Sequence, residues 1–116
     1  MSLTIGTAID KEGIYIFSLR GSLDADTAAS FDQKITPVAG KKEAAVILDL
    51  RELDYIDSTA LASLMKQGKA VESSGGRFFL AGLKPRIRDV FRVVRIIPED
   101  RIFEEVSEAV SRAGRS

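Results

Sequence analysis

Seven consecutive residues, Ala44-Ala45-Val46-Ile47-Leu48-Asp49-Leu50, contain one polar side chain. A strand carries such a run only when both of its faces are covered, as in the middle of a sheet with helices packed on it. The flanking segments supply those partners. Leu3 to Ile9 alternates roughly, and Ile14-Tyr15-Ile16-Phe17-Ser18-Leu19 is rich in β-formers, with Lys11-Glu12-Gly13 as a hairpin turn and Gly21-Ser22 closing the second strand. Asp26 or Thr27 is placed to cap a helix with Ala28, Phe31 and Ile35 on its inner face, ended by Pro37 and Gly40. A second helix is expected from near Ser58, with Leu61, Leu64, Met65 and Gly68 on one face and Gly75-Gly76 at its end. Arg77 to Ala81 reads as a strand. Pro85 suits the first turn of a third helix, with Ile87, Val90, Phe91 and Val94 facing inward and Pro98 stopping the segment. Ile102-Phe103 reads as a short last strand, and Ser107 as the cap of a terminal helix to about Ala113. An opening hairpin followed by β-α alternation predicts an α/β fold: a mixed sheet of four to five strands, largely parallel after the hairpin, with about four helices packed on it.

At 116 residues the chain is expected to form one domain, spanning 1–116, and to bury roughly 65% of its unfolded surface. It has 17 basic and 17 acidic residues and no Cys, His or Trp. Disulfides, thiolate nucleophiles, imidazole bases and Cys or His metal ligands are therefore excluded. No uncharged stretch approaches the roughly 20 apolar residues of a membrane span, and Met1-Ser2-Leu3-Thr4 shows no secretory signal. A cytoplasmic location is expected. Zero net charge argues against nucleic acid or an anionic membrane as a direct partner.

The region that could carry chemistry follows the apolar run. In Ile56-Asp57-Ser58-Thr59-Ala60-Leu61, a helix N-terminus is expected at Asp57 or Ser58. Either residue could simply cap the helix. Ser58 could also be an exposed hydroxyl that receives a phosphoryl group, since a helix N-terminus tolerates a dianion. The two readings are compatible.

Three segments together resemble the STAS domain family, and within it bacterial anti-sigma factor antagonists. They are Val46-Ile47-Leu48-Asp49-Leu50 followed by Ile56 to Leu61; Leu19-Arg20-Gly21-Ser22-Leu23-Asp24-Ala25-Asp26-Thr27-Ala28; and Leu80-Ala81-Gly82-Leu83-Lys84-Pro85-Arg86-Ile87. The resemblance implies the STAS fold and a protein that is not an enzyme. It implies an unphosphorylated form that binds an anti-sigma factor, itself a serine kinase, and so frees the sigma factor. Carried over, Ser58 is the phospho-acceptor, a serine phosphatase reverses the modification, and Asp24, Asp57 and Thr59 belong to the switch and partner surface. Ala60 stands where the family often has Gly, and Arg92 to Pro98 lacks the Gly often found at the end of the third helix. The alternative is a non-switching STAS subunit of a lipid-transport or stress-signalling assembly.

Other features read more simply. Asp49, Asp54 and Asp57 could be a Mg2+ site, and Asp24 with Asp26 an acid/base pair, but strand-end, turn and capping roles explain them better. No phosphate-binding glycine loop is present, so nucleotide binding has no motif behind it; no metal, cofactor or catalytic residue is expected. Lys84, Arg86, Arg88, Arg92 and Arg95 face only Asp89, whereas Glu99 to Glu108 holds five acids against Arg101. Two mutually neutralising solvated faces, or a basic docking face, would account for them.

Overall fold

The central strand is longer than its apolar run. In the computed structural model, which describes residues 2–10, 12–94 and 97–114, β3 spans Ala45–Ile56. Around it the chain runs β1 (Leu3–Ile9), β2 (Tyr15–Leu23), α1 (Ala28–Ala39), then after β3 α2 (Ser58–Ser73), β4 (Arg77–Ala81), α3 (Pro85–Val94), β5 (Ile102–Phe103) and α4 (Val106–Ala113). A single 3-10 turn at Glu99–Arg101 precedes β5. The five strands lie in chain order in one sheet. β1 pairs antiparallel with β2, and every later pairing is parallel. The expected α/β class, hairpin and helix number are all present.

The run at Ala44 to Leu50 is covered on both faces, as its composition requires. Val46, Leu48 and Leu50 join Phe17, Leu19, Phe78 and Leu80 under α1, α2 and α3, which contribute Phe31, Ile35, Leu61, Leu64, Val71, Ile87 and Phe91. Ala45, Ile47, Phe79 and Ala81 face the other way, against Ala109 and Ala113 of α4. Each fully buried Phe or Leu here contributes about 1.5–3 kcal/mol. Since α4 is short, it covers only part of its face. Ser18, Arg20, Asp49 and Arg51 line an open polar groove beside it.

Several local expectations shift. The second strand is not closed at Gly21-Ser22 but runs to Leu23 through two register shifts against β3. Pro37 lies inside α1, which ends at Ala39 with Gly40 as its cap. A missing N–H in the last turn removes one bond, and burial of Val38 and Ala39 holds the turn nonetheless. Met65 is only half buried on α2, where Gln67 and Val71 lie inside instead. Ser107 does not cap α4. Glu105 does, in a reciprocal capping box with Glu108, whose side chain accepts from the Glu105 N–H at 3.0 Å. Lys11 of the hairpin turn, the side chain of Val94 and Arg95 of the basic segment lie outside the described residues.

Gly21 requires its missing Cβ. Its φ is +105°, and a Cβ there would sit 2.3 Å from the carbonyl oxygen of Ser2, which accepts from Ser22 N–H at 3.0 Å. Gly21→Ala should therefore lower stability by about 1–3 kcal/mol and loosen the start of β1. Urea denaturation, with hydrogen exchange at the Ser22 amide, measures both.

Candidate functional site

β2 and β3 run parallel, and their last paired residues are Leu23 and Ile56. The loop into α1 and the start of α2 therefore emerge side by side at one end of the sheet. Asp57 follows Ile56 directly, in extended conformation (φ −104°, ψ 177°), as the N-cap of α2. One carboxylate oxygen, Oδ1, accepts from Ala60 N–H at 2.9 Å, the usual N-cap bond. The other, Oδ2, accepts from Ala25 N–H at 3.0 Å, across 32 residues of sequence. Asp57 N–H donates to the Leu23 carbonyl at 3.1 Å. Asp57 is thus both a cap and a clasp that holds the β2–α1 loop against α2.

The loop is also held from within. Asp24 is 7% exposed. Its Oδ1 accepts from the amides of Asp26 (2.9 Å) and Thr27 (3.1 Å). Thr27 stands at the N-cap of α1 but makes no side-chain cap bond. Its hydroxyl donates to the Ser22 carbonyl at 2.9 Å and accepts from Asp24 N–H at 2.9 Å. Neither Asp26 nor the Thr27 side chain caps α1; the Asp24 carboxylate satisfies amides there instead. This is the turn-forming role, and Asp26 is not paired with Asp24 for acid/base work.

Ser58 is the first residue of α2, and both it and Thr59 are exposed, while Ala60 behind them is buried. The structure brings Asp57, Ser58 and Thr59 together with the Asp24 loop at one end of the sheet. Tyr55, to which sequence reasoning assigned no role, adds a 44% exposed aromatic ring at the end of β3. No sequence signal marked it, because the polar stretch from Arg51 reads as a loop. The neighbouring Asp54 pairs with Lys84 just before α3.

Asp49 lies eight residues upstream of Asp57, roughly 26 Å along the strand. It is buried and held by Arg51 in a two-point pair, Nε to Oδ1 at 2.9 Å and Nη2 to Oδ2 at 2.7 Å, with the Ser18 hydroxyl at 3.4 Å. Asp24, Asp49 and Asp57 do not converge. Burial pushes the Asp49 carboxyl up, but hydrogen bonds and charge from Arg51, with Ser18, leave it below its ordinary value. The mixed-charge segments partly neutralise each other as well: Arg88 Nη2 lies 4.0 Å from Glu99 Oε2.

The clasped β2–α1 loop and the exposed hydroxyl at the start of α2 thus lie together at one end of an α/β sheet. The STAS domain family matches residues 7–109, and the chain belongs to that family. It is 33% identical over 86 residues to BtrV of Bordetella bronchiseptica, a protein named for anti-sigma factor antagonism, covering 73% of this chain and 74% of that one. Its fold matches a Thermotoga maritima structure titled as an anti-sigma factor antagonist (TM-score 0.83, 21% identity, 96% of this chain and 95% of that one). It also matches the phosphorylated form of SpoIIAA from Bacillus (TM-score 0.73, 20% identity, 94% and 98%). No helix among the described residues is long and apolar enough to cross a membrane.

Asp57→Ala should cost about 1 kcal/mol through the lost cap and speed hydrogen exchange at the Ala25 amide. Asp57→Asn keeps a single acceptor oxygen, so it should restore the cap but leave the Ala25 amide exchanging fast. Denaturant midpoints and amide exchange read both effects. The lowered Asp49 carboxyl stabilises the fold above the ordinary carboxylate range, about 3.9, and this contribution fades as the pH falls toward the lower folded value. The Arg51 side chain is 62% exposed, so solvent screening keeps the effect to at most about 1 kcal/mol. Asp49→Asn should be less stable than the parent at pH 7, and the gap should close on acidification in urea melts.

Proposed function

We propose that this chain is an anti-sigma factor antagonist of the cytoplasm, a single STAS domain switched by phosphorylation of Ser58. The observation that carries the reading is the position of Ser58: exposed, first in α2, and next to a carboxylate already engaged by two amides. The name of BtrV and the phosphorylated state of SpoIIAA support it. In the unphosphorylated state the surface around Asp24, Asp57, Ser58 and Thr59 docks an anti-sigma factor that is also a serine kinase, and the sigma factor is released. The Ser58 hydroxyl oxygen then attacks the γ-phosphorus of kinase-bound ATP. The bond to ADP breaks, and the hydroxyl proton passes to a base on the kinase. A serine phosphatase hydrolyses the phosphoserine.

The chain has no His or Cys to activate that hydroxyl. The base, nucleotide and metal therefore belong to the kinase. Phosphate adds about −1.5 to −2 charges beside Asp57. Like charges brought together in an interface cost several kcal/mol, and each 1.4 kcal/mol is about tenfold in affinity. A loss of about 3–4 kcal/mol is enough to release the partner without refolding.

The test combines the cognate anti-sigma kinase, Mg2+ and ATP with intact-protein and peptide mass spectrometry. One phosphate on Ser58 is expected. Ser58→Ala should bind the kinase as tightly as the parent, and Ser58→Asp at least about tenfold more weakly. Equal affinities for the two variants, or phosphate at another residue, would overturn the switch.

A further inference from the structure

We propose that β1 is a dimerisation edge, at which two copies of this chain pair antiparallel through Leu3–Ile9 about a two-fold axis at Gly6. Among the described residues, β1 is the first strand of the sheet and has β2 as its single neighbour. A free edge presents a row of unpaired backbone N–H and C=O groups, and proteins blunt such edges with charge, proline, bulges or shortness. β1 has none of these. It is seven residues long, with the sequence Leu-Thr-Ile-Gly-Thr-Ala-Ile and no charge or proline. Its register with β2 is unbroken from Leu3 to Ile9, unlike the shifted register between β2 and β3. The opposite edge, β5, is two residues long and offers little to pair with.

The side chains favour a second copy over another occupant. Antiparallel pairing centred on Gly6 sets Leu3 opposite Ile9, Thr4 opposite Ala8 and Ile5 opposite Thr7, and brings Asp10 opposite Ser2. No charge meets a like charge, so the strand is complementary to itself. Residues directly opposite in an antiparallel pair share a face. Leu3 and Ile5 pack partly against the core beneath α1, α2 and α3. Ile9, at the far end of the same row, is 60% exposed. The two-fold axis places Ile9 of each copy beside Leu3 of the other and covers both. Two paired strands make a small interface, so the association is weak and concentration-dependent.

Sedimentation velocity of the full chain over a wide concentration range tests this, with amide exchange at low and high concentration. A dimer is expected to appear with concentration, and alternate β1 amides are expected to gain protection as it forms. Ile9→Lys should stay folded, since that side chain is largely in water, and should raise the dissociation constant at least about tenfold. Val93→Lys changes an 83% exposed residue on α3 and should leave the dimer intact. Thermal melts confirm that both variants fold. A monomer at every concentration overturns the proposal. So does a dimer that survives Ile9→Lys, or one that Val93→Lys abolishes.

Discussion

The parallel pairing of β2 with β3 sets the position of everything that matters at the candidate site. Eight residue pairs hold the two strands, from Tyr15 with Val46 to Leu23 with Ile56. Because the strands run the same way, both chains leave the sheet at the same end. In an open α/β sheet the loops beyond the strand C-termini are where surfaces for other molecules are built. Here the pairing delivers the Asp24 loop and the first turn of α2 to within one hydrogen bond of each other. Asp57 then makes that bond to Ala25. A slip of β3 by one residue would turn Leu53 and Ile56 out of the core and carry Asp57 away from its second amide, so the register also sets the geometry at the start of α2.

The sheet was legible in the sequence where one segment suffices to define its own environment. The Ala44 to Leu50 run needs two covered faces, and it has them. The Asp57-Ser58 helix start was legible because capping is decided within three residues. The stretch from Arg51 to Ile56 was not. Arg51, Glu52, Asp54 and Tyr55 are exposed, and their polarity reads as a loop. They stay in strand because β2 continues beside them to Leu23 and because Leu53 and Ile56 remain buried. The cap of α4 failed differently. Ser is intrinsically as good a cap as any residue, but the Glu105–Glu108 pair satisfies two amides reciprocally and moves the helix start forward. The Asp57–Ala25 clasp, spanning 32 residues, leaves no local trace at all.

Two aspartates, one within β3 and one just beyond it, show how position decides the work of a carboxylate. Asp49 lies on the face that α4 leaves partly open, and it turns to Arg51 for an ionic partner. Asp57 lies beyond the sheet and turns to backbone amides. The first contributes to stability in a manner that acid removes. The second fixes geometry and lends its charge to the site. In both, the carboxylate oxygens are engaged by donors of the protein itself.

The same hydrogen bonds bear on how a phosphate at Ser58 would act. A helix N-terminus ordinarily offers amide donors to an added dianion. Here the Ala60 amide is held by Asp57 Oδ1 and the Ala25 amide by Asp57 Oδ2, while those of Asp26 and Thr27 are held by Asp24. To capture them, a phosphate would have to displace carboxylates that already carry the same sign of charge. The easier course is for the dianion to stay outward, beside Asp57 and within reach of whatever docks there. Under the proposed switch, the new charge would then face the partner, and its energetic effect would fall on the interface.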